Sequence, residues 1–87
     1  MNHFTTPDFW DHYDSLPTEI RELADKNYIL LKTSPVHPSL HFKRVKNDVW
    51  SVRVGRNYRA LAFEEQGDFF WFWIGSHADY DRLLGTR

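Results

Sequence analysis

Eighty-seven residues are enough for one domain and too few for two, so the chain, 1–87, is expected to share a single core. Aromatic residues make up 17% of it and cysteine is absent, which excludes disulfide bracing and thiolate chemistry and fits a reducing compartment such as the cytoplasm. The net charge of -1 hides a block: residues 32–59 carry seven bases (Lys32, Lys43, Arg44, Lys46, Arg53, Arg56 and Arg59) against Asp48 alone, between two acidic stretches.

Such a block suits a phosphate-binding face, and equally a solvated basic hairpin. No run approaches the roughly 18 apolar residues of a membrane span, and the first ten residues lack the basic-then-apolar order of a signal peptide. A cytoplasmic chain with no membrane partner is the expectation.

In chain order, Thr6-Pro7-Asp8 predicts a helix opening, with Thr as cap, Pro in the first turn and an acid at the positive end of the dipole. A helix over residues 7–14 then puts Phe9, Trp10 and Tyr13 on one side. Pro17 opens a second helix, in which Ile20, Leu23, Ala24, Tyr28 and Leu31 form an apolar stripe opposite Glu19, Arg21, Glu22, Asp25 and Lys26. Thr33-Ser34-Pro35 ends it, because the residue before a proline disfavours the helical region. The two are expected to pack as a helical hairpin.

After Pro38 the period falls to two. A strand is expected over residues 40–46, with a two-residue turn at Asn47-Asp48 and a second strand over 49–54 in which Trp50, Val52 and Val54 face one way and Ser51 and Arg53 the other. Gly55-Arg56-Asn57 turns into a third strand over 58–64, and Gln66-Gly67-Asp68 into a fourth. That last strand, Phe69 to Ile74, is apolar without alternation, as in a strand flanked on both sides. Ser76 with Asp79 three residues on predicts a capped short helix running to Leu84. The fold class is therefore α+β, with an N-terminal helical hairpin on a four-stranded antiparallel sheet and a short C-terminal helix.

Several pieces in this order resemble successive motifs of the RelE/ParE toxin superfamily: His37-Pro38-Ser39-Leu40, Phe42-Lys43, Trp50 to Val54, Tyr58-Arg59-Ala60, and above all Trp71 to Asp81. The likeness spans roughly residues 4–84, and a small branch with a similar tail is nearest. It implies a toxin of a type II toxin–antitoxin system whose partner is a small, acidic, partly disordered antitoxin. RelE-like members cleave mRNA on the ribosome, whereas ParE-like members inhibit DNA gyrase without hydrolysis. A non-toxic member would serve as an interaction domain. A shared fold does not choose among these.

The leading expectation is ribosome-dependent mRNA cleavage by a metal-independent endoribonuclease. Such chemistry needs cations on the phosphate and a group to move protons. Arg53 and Arg59 match the arginines of the family's sheet motifs, and a guanidinium can grip phosphate with two parallel hydrogen bonds. His77 sits just past a buried strand, a position that suggests proton transfer, with fixing the turn at the helix start as the alternative; Tyr80 matches a family aromatic, or packs against Trp73. Lys43, Arg44, Lys46 and Arg56 are candidates for RNA or phosphate binding, with solvated edge cations as the alternative. His37 and His41 are expected at the surface. No metal-ligand spacing, Gly-rich phosphate loop or cofactor motif is present. Two departures stand out: a pI near 6.5, and no carboxylate on the first two strands to partner the cations.

Overall fold

A computed structural model describes residues 1–85. Thr6 caps the first helix as its place before Pro7 suggests, its hydroxyl accepting from the Phe9 N–H at 3.3 Å. The elements run β1 (His3–Thr5), α1 (Pro7–Asp14), α2 (Thr18–Thr33), β2 (Lys43–Lys46), β3 (Val49–Val54), β4 (Tyr58–Glu65), β5 (Asp68–Ser76) and α3 (His77–Leu84). Pro17 takes the cap position of α2 rather than its first turn.

The sheet has five strands, ordered β1-β5-β4-β3-β2, and it is mixed. This corrects the four-stranded antiparallel expectation. β2 to β5 form the antiparallel meander, but β1 pairs parallel to β5, with Phe4 opposite Phe70. Three residues are too few to display a period, and a parallel partner needs no turn signal nearby. The pairing is reinforced by Thr6 N–H to Trp71 C=O at 3.0 Å and by the Trp71 indole N–H to His3 Nδ1, also 3.0 Å.

β2 begins later than the alternation suggested. Pro38–Leu40 forms one turn of 3-10 helix, whose Leu40 is fully buried, and His41 takes a left-handed φ of 45° before the strand starts. β5 departs from alternation for a geometric reason. Its register against β4 shifts between Leu61 and Ala62, leaving Phe72 without a Cα partner. Phe69 and Trp71 therefore face the main core two residues apart, and the next core residue is Ile74, three further on.

That core also takes in Leu16, Leu31, Leu40, Val52, Val54, Ala60 and Ala62. Of the two helices, α1 packs along β5 and α2 on β3. Between them lies a cavity of about 460 Å³ lined by Tyr13, Ala24, Leu31, Trp71 and Ile74 among others. The Tyr13 hydroxyl bridges the helices by donating to Asp25 at 2.8 Å. Among the described residues no helix is long and apolar enough to cross a membrane.

The opposite face of the sheet carries the residues that alternate with the core set. These are Ser51 and Arg53 on β3 and Arg59, Leu61 and Phe63 on β4. Phe4, Phe70 and Phe63 stack in line across β1, β5 and β4, with centroids 5.1 and 5.3 Å apart. α3 packs against β5 and β4 at the end where Arg59 lies opposite Gly75.

Candidate active site

Alternation on β3 and β4 sends Arg53 and Arg59 to the same face, and the antiparallel register makes them direct Cα partners. Two guanidinium groups thus share one patch of sheet. Arg53 Nε is buried and has no hydrogen-bond partner among the described residues. Arg59 Nη1 donates to its neighbour's carbonyl at Tyr58, 2.9 Å away. Burial and the charge of Arg53 push the Arg59 guanidinium below its ordinary proton affinity, and Tyr80 and Asp81 act in the opposite direction.

The second half of the site comes from α3. Ser76 caps that helix by accepting from the Asp79 N–H at 3.2 Å, and the His77 N–H ties its start to the β3–β4 turn by donating to Asn57 C=O at 2.7 Å. With the backbone fixed this way, the His77 ring is not needed for the cap. Its Nδ1 lies 3.1 Å from Asp81 Oδ2, one helical turn on. The Tyr80 ring stands edge-on to His77 at 5.6 Å and lies 5.9 Å from the Arg59 guanidinium carbon. That distance is within cation–π reach.

The structure therefore gathers Arg53, Arg59, Tyr80 and His77 into one continuous constellation. It adds Asp81, a carboxylate that a survey of the strands alone does not find. The signal for it was the four-residue spacing from His77 inside a capped helix. Tyr80 contacts Arg59 and His77, which is a site role in geometry as well as a packing one.

The remaining cations divide. Lys43, opposite Ser51, and Lys46, opposite Val49, share the arginine face of the sheet but sit on the edge strand β2, exposed. Arg44 lies opposite Trp50 and belongs to the other face, away from the arginine pair. Arg56 is exposed in the β3–β4 turn. His37 binds locally, its Nδ1 accepting from the Ser39 N–H at 3.2 Å, and both it and His41 are exposed. Among the described residues no cluster of His, Asp or Glu is arranged to hold a metal ion.

A constellation of two cations, one imidazole and one carboxylate can bind a phosphodiester and move a proton beside it. Comparison with known proteins bears on the family and the fold. The family model described as the ParE-like toxin domain matches residues 18–82. Among solved structures, the chain is similar to a YoeB/ParE toxin from Agrobacterium tumefaciens, at 16% identity and TM-score 0.66, over 88% of this chain and 99% of that one. It is also similar to a chain of the RelB-RelE antitoxin-toxin complex from Methanococcus jannaschii (18%, TM-score 0.72, 91% and 96%), and to YafQ from E. coli (9%, TM-score 0.68, 91% and 96%). At these identities the likeness is one of fold. None of the curated proteins matches the chain in sequence.

Proposed function

The chain belongs to the ParE-like toxin domain family, and from that premise we propose that it is the toxin of a toxin–antitoxin pair that cleaves mRNA on the ribosome without a metal. The observation that carries this reading is the Arg53–Arg59 pair. Two opposed guanidiniums, one with a buried nitrogen lacking a partner among the described residues, call for an anion, and a phosphodiester supplies it. Arg53 and Arg59 hold the scissile phosphate, Tyr80 steadies Arg59, and His77 transfers the proton at the reacting oxygen.

The reaction is an internal transesterification. The ribose 2′-oxygen loses its proton and bonds to phosphorus, and the bond from phosphorus to the 5′-oxygen breaks. The 5′-oxygen leaves with a proton from water, giving a 2′,3′-cyclic phosphate and a 5′-hydroxyl end. Lys43 and Lys46, on the same face as the arginines, attract the flanking backbone. The partner is an acidic antitoxin segment that folds on the toxin and neutralises this face. The relative from Methanococcus jannaschii was solved with its antitoxin. The place of action is the cytoplasm, where ribosomes are.

Inducing the wild type and Arg59→Ala in cells, with mRNA ends mapped, tests the reading. Cuts in translated frames with the wild type and their loss in the variant support it. Intact transcripts from soluble wild type overturn it, and a DNA-damage response in the same cells would move the assignment to gyrase inhibition.

A further inference from the structure

We infer that Asp81 is a positioning residue for His77: it accepts the Nδ1–H, leaves Nε2 as the unprotonated nitrogen, and so makes His77 the general base. The inference rests on the RNA-cleaving reading above and assigns a direction to the proton transfer.

The geometry is local and specific. Asp81 Oδ2 lies 3.1 Å from His77 Nδ1, within the N···O distance of an ordinary hydrogen bond. Position fixes the partner, since residues four apart on a helix stack along one face. Neither ring nitrogen is used to cap α3, because Ser76 supplies that bond and the His77 backbone amide serves the β3–β4 turn. The Tyr80 ring stands beside the imidazole, edge-on at 5.6 Å.

The chemical consequence follows from how a neutral imidazole divides its two nitrogens. One carries the proton and the other accepts, and the bond made by the first selects which is which. An imidazole without a partner favours the proton on Nε2, where it would be useless as a base at that nitrogen. A carboxylate on Nδ1 reverses the preference and stabilises the imidazolium formed once the 2′-OH proton has moved to Nε2. The imidazolium then returns that proton to solvent. Asp81 also lies close enough to Arg59 to favour its charged form, so one carboxylate serves both halves of the site.

Nitrogen-15 spectra of the purified full chain, with His77 assigned by loss of its signals in His77→Gln, read the tautomer directly. In the neutral form of the ring the wild type should show a protonated Nδ1 and a bare Nε2. Asp81→Leu should shift His77 to the Nε2–H form with an unchanged fold by circular dichroism, and Asp81→Glu, whose carboxylate still accepts, should keep the Nδ1–H form. Cleavage should fall about 100-fold in Asp81→Leu and recover in large part in Asp81→Glu. A wild type already in the Nε2–H form, or cleavage untouched by Asp81→Leu, overturns the inference and leaves the RNA-cleaving reading standing. No cleavage by the wild type overturns that reading and the base role with it, even where the Nδ1–H tautomer is found.

Discussion

Arg53 and Arg59 are Cα partners across β3 and β4, a placement in which like charges oppose one another while the carboxylates of β4, Glu64 and Glu65, lie at its far end. Like charges directly opposite on a sheet weaken pairing by about 0.2–1 kcal/mol. Arg53→Gln should therefore raise the urea midpoint slightly while abolishing most RNA cleavage. One charge-assisted phosphate contact is worth about 1.5–3 kcal/mol, so the loss in rate should be on the order of 10- to 100-fold. Stability and activity moving in the same direction would count against an anion site at this pair.

Tyr80 gives a finer test of what steadies Arg59. The ring, not the hydroxyl, faces the guanidinium, at 5.9 Å. Tyr80→Phe should keep cleavage within about threefold, since the cation–π attraction of about 0.5–1 kcal/mol at an exposed site survives. Tyr80→Ala should lose more than tenfold, because both Arg59 and His77 lose their aromatic neighbour. Initial rates on a single ribosome-bound transcript would separate the two.

His3 predicts a pH dependence of stability. Its Nδ1 accepts from the Trp71 indole, which leaves the proton on a buried Nε2 that has no partner among the described residues. Burial first, and then nearby positive charge including Lys32, lowers its pKa from the ordinary 6.5. Below 6.5 the unfolded chain gains a proton that the fold resists. The stabilising contribution is thus complete above 6.5 and is lost as pH falls through the folded value. Urea midpoints at pH 7.5 and pH 5 should differ less in His3→Gln than in the wild type, the glutamine oxygen still accepting from Trp71.

Gly75 leaves room that nothing else could. A Cβ there would sit 2.6 Å from Trp73 Cζ2, so the indole, buried on the arginine face, would have to move. Gly75→Ala should cost about 1–3 kcal/mol and also disturb Arg59, which lies directly opposite on β4. Chemical denaturation followed by tryptophan emission would show both a lower midpoint and an altered native spectrum.

Legibility in the sequence followed the reach of each signal. The alternation of Trp50, Val52 and Val54 fixed the faces of β3, and with them the side on which Arg53 lies. Thr6 and Ser76 announced two helix starts, and both hydroxyls make the expected bonds. His3–Thr5 was illegible, because a three-residue parallel strand has neither period nor adjacent turn. The seating of α1 on β5 and of α2 on β3 was illegible too: apolar stripes say that each helix is buried, not against which neighbour. At the site, the arginines and His77 were readable from resemblance, while Asp81 needed the helix to be built before its spacing acquired a meaning.

The parallel strand also dictates an order of events during synthesis. β1 pairs with residues 69–71, so a strand made well before β5 must wait for the intervening sixty or so residues before it finds its place. Closing so long a loop is a late step. Meanwhile the β2–β5 meander, with both arginines, can assemble from neighbouring segments alone. Both arginines would then be in place before the edge that shields Trp71, and the N-terminal strand with α1 would be the last unit to lock and the first to open. Native-state hydrogen exchange should find the amides of Thr6 and Phe69 less protected than those of β4.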